Sequence, residues 1–248
     1  MMRLADFISP TEAQTIERRL ALRGAFSLGA LSLLTGCGIS DSDSVQRALA
    51  AVSRFNDRVQ AALFGSGAAL ATEFPDSAID NPFRYNAWYQ ADLAPALDAA
   101  TYRLELSGLI GQKAPWTIDR LHTLPQVTQA TRHVCVEGWS AIGKWTGPTL
   151  RSFLDAVEAD LGARYVAFEC ADGYYESIDM PTALHPQTLL ALGLNGQTLP
   201  REHGFPFKIR IPTKLGFKNP KFVTAIYVTN LYPGGFWPDR GYNWFSGL

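Results

Sequence analysis

Hydrophobic and polar positions divide this chain into stretches of different period. Val45, Leu49, Val52, Val59 and Leu63 recur at helical spacing, and a glycine-bearing stretch over residues 65–71 then loosens the chain. The pattern predicts a lead-in helix ahead of the folded body. Residues 81–89 are aromatic and irregular, with Pro82 barring a regular start. Tyr102-Arg103-Leu104-Glu105-Leu106-Ser107 alternates with period two, which predicts a half-buried strand ending at Gly108. Leu150, Phe153, Leu154, Val157 and Leu161 return to helical spacing behind Pro148 and Thr149, so one amphipathic helix is expected there. Residues 165–170 and 222–228 predict strands, and Asn195-Gly196 predicts a hairpin turn. Strands outnumber helices without regular alternation, so the expected class is α+β rather than a doubly wound sheet.

The amino-terminal pattern is that of a targeting segment. Arg18-Arg19 followed by an apolar stretch over residues 24–34 is a twin-arginine export pattern, and Leu34-Thr35-Gly36-Cys37 has the form of a lipobox with Cys37 as the acylated residue. The expected organisation is an export signal over residues 1–40, a lead-in helix and linker over 41–80, and one folded domain with an aromatic carboxyl tail over 81–248. The expected location is periplasmic, reached either with a lipid anchor at Cys37 or after removal of an ordinary cleaved signal. At 248 residues and 47% hydrophobic composition the chain can bury a sizeable core, and its net charge of -1 argues against a general nucleic-acid binder.

Among residues with chemistry, Cys135 stands out. It sits in Arg132-His133-Val134-Cys135-Val136-Glu137-Gly138-Trp139-Ser140, where a strand-like run gives way to a turn. Alternation along a strand would set Cys135 on one face with His133 and Glu137, a polar setting for a thiol that otherwise favours a core. Histidines 122, 133, 185 and 203 show no His-x-x-x-His spacing and the cysteines no Cys-x-x-Cys, so neither structural nor hydrolytic zinc is indicated. A Cys-His hydrolase built on Cys135 lacks any oxyanion signature. Residues 207–221 carry Lys208, Arg210, Lys214, Lys218 and Lys221 and no acid. This run suits an anion such as a phosphate, and a solvated charged face is its plainer explanation. The aromatic tail over residues 236–245 either covers a cofactor funnel or is strapped down on the core, with strapping the favoured expectation. Cys135 and Cys170 remain in the mature chain, and in an oxidising compartment they could pair.

Read together, residues 132–145, Met180-Pro181-Thr182-Ala183-Leu184-His185-Pro186, Leu199-Pro200-Arg201-Glu202-His203-Gly204-Phe205-Pro206 and Lys214-Leu215-Gly216-Phe217-Lys218 resemble, in order, the oxidoreductase molybdopterin-binding domain. Sulfite oxidases share that domain with the catalytic subunit of the bacterial periplasmic protein-methionine-sulfoxide reductase, and the resemblance is closer to the reductase. It implies a sulfite-oxidase-type α+β domain carrying molybdenum-molybdopterin, with Cys135 as the thiolate on the metal. It also implies cofactor contacts from Asn86, Tyr89, Gln90, Cys170, His203, Lys208, Asn219, Pro220 and Lys221. Cys170 stands where that reductase pattern has threonine, His203 where it has asparagine, and Lys208 where it has arginine; lysine keeps the charge but loses the bidentate fork. The implied activity is oxygen-atom transfer on a small or protein-bound sulfur substrate, either S-oxide reduction or sulfite oxidation. The implied redox partner is a membrane b-type cytochrome. The alternative is a noncatalytic exported lipoprotein with a Cys135–Cys170 disulfide.

Overall fold

The computed structural model describes residues 43–64 and 69–248. The twin-arginine pattern, the apolar run and Cys37 all lie outside these residues. The first described element, α1 (Asp43–Phe64), is the expected lead-in helix, and it crosses from a unit of residues 1–52 into a second unit of residues 53–248. Among the described residues no helix is long and apolar enough to cross a membrane. Everything below concerns the second unit.

Ten strands and three short helices follow α1 among the described residues. One sheet holds β1 (Glu105–Gly108), β10 (Val223–Thr229), β4 (Tyr165–Cys170) and β5 (Tyr175–Asp179) in that order. Only the β1–β10 pair is parallel there. A second sheet runs β2 (Gln126–Val134), β3 (Ser140–Pro148), β7 (Gly193–Leu194), β8 (Gln197–Thr198), all antiparallel. A two-stranded ladder joins β6 (Leu189–Ala191) to β9 (Lys208–Arg210). The α+β expectation therefore holds.

The predicted strands form because their apolar positions have a core to meet. Leu104, Leu106, Val166, Phe168, Val223, Ile226 and Val228 enter one continuous cluster with Phe153, Phe207 and Ile209. A smaller cluster surrounds Trp145 and includes Phe83, Leu189, Ala191 and Leu194. Gly108 has a φ of 74°, and a Cβ there would stand 2.2 Å from the Val228 carbonyl oxygen, so β1 can approach β10 only with glycine at its end. The Asn195-Gly196 turn joins β7 to β8 with φ values of 52° and 79°, the left-handed pair that a two-residue hairpin needs.

Two expectations change. The amphipathic helix is α2 (Leu150–Ala156), capped by the Thr149 hydroxyl, which accepts the Ser152 amide at 3.1 Å. It stops before Leu161, because Val157 already serves as its carboxyl-terminal cap. The basic run of residues 207–221 is not a solvated face: Lys208, Arg210, Lys214 and Lys218 are all buried. The body also takes hold of the chain ahead of Asn81. The Ala71 amide donates to Gln187 Oε1 at 2.8 Å, Gln187 Nε2 returns a bond to the Ala71 carbonyl, and Glu73 bridges Thr131 on β2.

Candidate active site

A cleft of about 210 Å³ opens beside the β2–β3 hairpin tip. The two strands pair over all nine residues, from Gln126↔Pro148 to Val134↔Ser140, and residues 135–139 make the loop between them. The Cys135 amide donates to the Trp139 carbonyl at 2.8 Å, and Gly138 turns the chain with a φ of 87°. The thiol is thus fixed at the end of a fully registered hairpin, at the strand end foreseen for it. Its surroundings are polar but buried, as Cys135 and His133 are 5% and 1% exposed. Val136 and Glu137, the next residues, are exposed at the cleft mouth.

The irregular segment over residues 81–89 supplies the partner of this loop. Cys135 Sγ donates to Asn86 Oδ1 at 3.9 Å, and Asn86 Nδ2 lies 2.9 Å from His133 Nε2. Burial, then the Arg210, Lys208 and Lys221 charges, hold the His133 ring neutral, its pKa well below the usual value. Asn86 therefore donates to Nε2, and the ring proton sits on Nδ1, which has no partner. Burial also raises the Cys135 pKa, helped by the Glu137 carboxylate and opposed by a backbone bond and Arg84. A thiol with a raised pKa stays protonated towards solvent, and a metal bound at the sulfur would displace that proton to water.

Gly216 closes against this contact. A Cβ there would stand 2.5 Å from His133 Nε2 and 3.1 Å from Asn86 Nδ2. Gly216→Ala is expected to separate Asn86 from His133 and to lower stability by about 1–3 kcal/mol, the usual range for overpacking a filled site. Denaturant unfolding of the two proteins checks it.

Cations line the deeper wall. Lys208 and Lys221 face each other across an isolated bridge, and both line the cleft with Asn219 and Pro220. Lys221 Nζ donates to the Asn86 and Glu202 carbonyls, each at 2.9 Å. Arg210 donates to Asn219 Oδ1, Thr131 Oγ1 and the Arg132 carbonyl. Asn219 Oδ1 also accepts the Ile211 amide at 2.7 Å, which fixes the Gly216–Lys218 turn beneath the cleft. Lys208 is different: it is 5% exposed, and among the described residues its ammonium makes no hydrogen bond or ion pair and lies 5.1 Å from the Trp145 ring. Burial, then Lys221 and Arg210, drive its pKa well below the usual lysine value. A buried, uncompensated cation in a cleft wall calls for an anion there. Phosphate on a pterin cofactor and a soft thiolate-seeking metal fit this donor set, with Cys135 as the protein ligand and Lys208 and Lys221 as counter-charges.

The family profile for the oxidoreductase molybdopterin binding domain matches residues 91–237. The chain belongs to that family. This oxidoreductase molybdopterin-binding chain is accordingly an oxidoreductase that carries molybdenum-molybdopterin. It is 59% identical over 230 residues to an Azospira oryzae protein provisionally named protein-methionine-sulfoxide reductase subunit YedZ1, covering 93% of this chain and 87% of that one. It is 31% identical over 195 residues to the Ralstonia nicotianae protein-methionine-sulfoxide reductase catalytic subunit MsrP, covering 68% of this chain and 58% of that protein. The sulfane dehydrogenase SoxCD of Paracoccus pantotrophus shares the fold, with a TM-score of 0.52 at 21% identity over 56% of this chain and 40% of that one.

Within the molybdopterin-binding domain, the structure gathers Asn86, Tyr89, Cys135, Lys208, Asn219, Pro220 and Lys221 around one cleft. Three expected contacts lie outside its lining. Gln90 is exposed and precedes the Ala91–Leu93 turn. His203 is buried edge-on to Phe83 at 5.5 Å, with its pKa lowered to about 4 by burial and by Lys208. Cys170 ends β4 inside the main core. Both cysteines are free, so the expected alternative of a Cys135–Cys170 disulfide is not formed. Their placement explains this, since Cys170 packs in the core cluster while Cys135 lines the cleft.

Sequence reading missed Trp88, Glu137, Asp172 and Tyr174 as cleft walls. Asp172-Gly173, a turn signal between two strands, was the available clue for Asp172. The tail proves both strapped and functional in position. The Phe236 amide donates to the Tyr175 carbonyl, and the Trp244 and Phe245 amides both donate to Asp57 Oδ1, while Trp237 and Tyr242 line the cleft.

Proposed function

We propose that this chain is the catalytic subunit of an exported enzyme that reduces S-oxides, peptide methionine sulfoxide foremost, with electrons delivered singly by a membrane b-type cytochrome. The overall change is R₂S=O + 2e⁻ + 2H⁺ → R₂S + H₂O. The observation that carries the reading is Cys135 set in the same cleft as the uncompensated cation Lys208. The names of the two reductase-type relatives support the substrate. The twin-arginine pattern and lipobox-like Cys37 support export, a periplasmic location and a lipid anchor.

When bound, the cofactor supplies oxygen-atom transfer and two-electron capacity. This chain's residues do the rest. Cys135 would hold the metal, and Asn86, anchored on His133, would fix the ligand loop. Lys208 and Lys221 would carry the cofactor's negative charge, with Asn219 and Pro220 shaping that end. Trp88, Trp237 and Tyr242 offer rings at the mouth, where a methionine-type side chain gains sulfur–aromatic contact.

Purified holoenzyme is expected to contain molybdenum near one per chain and to reduce a methionine-sulfoxide peptide with a reduced dye as electron donor. Sulfite is expected to be a far poorer substrate in the reverse sense. A molybdenum-replete protein that oxidises sulfite and leaves the peptide untouched would overturn the proposal.

A further inference from the structure

The cleft is ordered by charge and by ring. Its deep wall holds Lys208 and Lys221, whereas its outer wall holds two carboxylates, Glu137 and Asp172, among the rings of Trp88, Tyr89, Tyr174, Trp237 and Tyr242. The cofactor's anionic end would neutralise the two lysines, leaving the carboxylates as the uncompensated charges that meet an incoming substrate.

Asp172 is built into this wall. It stands at the tip of the β4–β5 hairpin, its Oδ2 accepts the Tyr89 hydroxyl at 2.8 Å, and its Oδ1 accepts the Tyr174 amide at 3.1 Å. Neither bond neutralises it, and neither carboxylate has an ion-pair partner among the described residues. Glu137 Oε2 accepts the Trp139 indole at 2.9 Å, a bond that likewise leaves its charge in place. Arg84, an exposed cation, lies over the Trp139 ring at 4.4 Å.

The rings are partly exposed and held by their neighbours. Trp88, 48% exposed, stacks on Phe236 at 4.9 Å and 9°, which pins the approach segment to the tail, and Trp237 meets Trp88 edge-on at 6.3 Å. Tyr242, 41% exposed, is held by Trp237 at 5.2 Å. Ring faces beside carboxylates at a cleft mouth form a receptor for a cation, since both attract it and the rings shed little water in doing so.

We infer that Asp172 and Glu137, with the Trp88, Trp237 and Tyr242 rings, select S-oxides that carry a positive charge next to the oxidised sulfur, such as methionine sulfoxide flanked by lysine or arginine. This rests on the proposed S-oxide reduction for its chemistry but concerns selection among substrates. Anionic substrates meet like charge at the mouth and enter poorly.

The test uses the holoenzyme and three blocked peptides in which methionine sulfoxide is flanked on both sides by lysine, alanine or glutamate. The kcat/KM values are expected to fall in the order lysine, alanine, glutamate, with about tenfold between the extremes at low ionic strength and little left at 0.5 M salt, where screening is short-ranged. In the double variant Asp172→Asn, Glu137→Gln the lysine-to-glutamate ratio is expected to shrink to about twofold, a change in ratio that a general loss of folding or cofactor would not produce. Binding of the reduced peptides, read from tryptophan fluorescence, is expected to follow the same order. Turnover without that order would overturn the selection and leave S-oxide reduction standing. Ordered binding without any turnover would overturn the reaction and leave the selection. An order that persists unchanged in the double variant would also overturn it, because the charge would then be read elsewhere.

Discussion

Replacing Cys135 with serine is expected to lower kcat/KM on a methionine-sulfoxide peptide by at least about 1,000-fold, about 4 kcal/mol of transition-state stabilisation. A serine oxygen fits the space, and the thiol's contact with Asn86 Oδ1 is long, at 3.9 Å. Unfolding stability should therefore move by no more than about 0.5 kcal/mol. Under the proposed role of Cys135, what would change is the ligand: a hard oxygen would stand in for a soft thiolate on a metal that favours sulfur. Activity, molybdenum content and denaturant unfolding measured together decide the matter. A serine variant that is molybdenum-replete and active would remove Cys135 from the metal, and one that is unfolded would make it a core residue.

The largest stability effect is expected at the ion pair beneath the cleft. Lys218 Nζ and Glu176 Oε1 are 2.6 Å apart, with side chains 1% and 0% exposed. Glu176 also accepts the Ser177 amide, and Lys218 also donates to the Ser177 carbonyl at 2.7 Å. Burial pushes the Glu176 pKa up and the Lys218 pKa down, and each partner's charge opposes the shift in the other. Glu176→Gln leaves the ammonium buried with one carbonyl and the Trp244 ring 5.0 Å away, and is expected to cost about 3–5 kcal/mol. The double variant Glu176→Gln, Lys218→Met should recover most of that loss, since it leaves no unpaired buried charge. Chemical denaturation of the two single variants and the double measures the coupling. The damage should reach the cleft as well, because the Tyr174 hydroxyl binds both Glu176 Oε2 and the Phe217 carbonyl, and Tyr174 and Phe217 are cleft walls.

Local pattern was sufficient for much of this molecule. Period-two alternation and apolar runs located β1, β4 and β10, and Asn195-Gly196 located the β7–β8 turn, because each depends on the residues' own backbone preferences and on burying one face. The strand end at Cys135 was legible for the same reason, and the ordered motifs pointed to the metal chemistry that the family match bears out.

The tertiary structure decided what long-range charge and packing control. Residues 207–221 have the composition of a solvated face, yet their cations are buried or, at Lys221, half-buried, for partners arrive from elsewhere in the chain: Glu176 for Lys218, Thr131 and the Arg132 carbonyl for Arg210, the Asn86 carbonyl for Lys221. Lys208 receives none, and that deficit is visible only once the cleft exists. His133 looked like a polar neighbour of Cys135, and folding made it a buried neutral anchor by laying Asn86 and Gly216 against it. Thus the sequence by itself determined the α+β elements, the thiol at a hairpin end and its family. The fold decided which cation stays unpaired, which carboxylates line the cleft and that Cys170 stays in the core, because each depends on side chains far apart in the chain or packed by several elements at once.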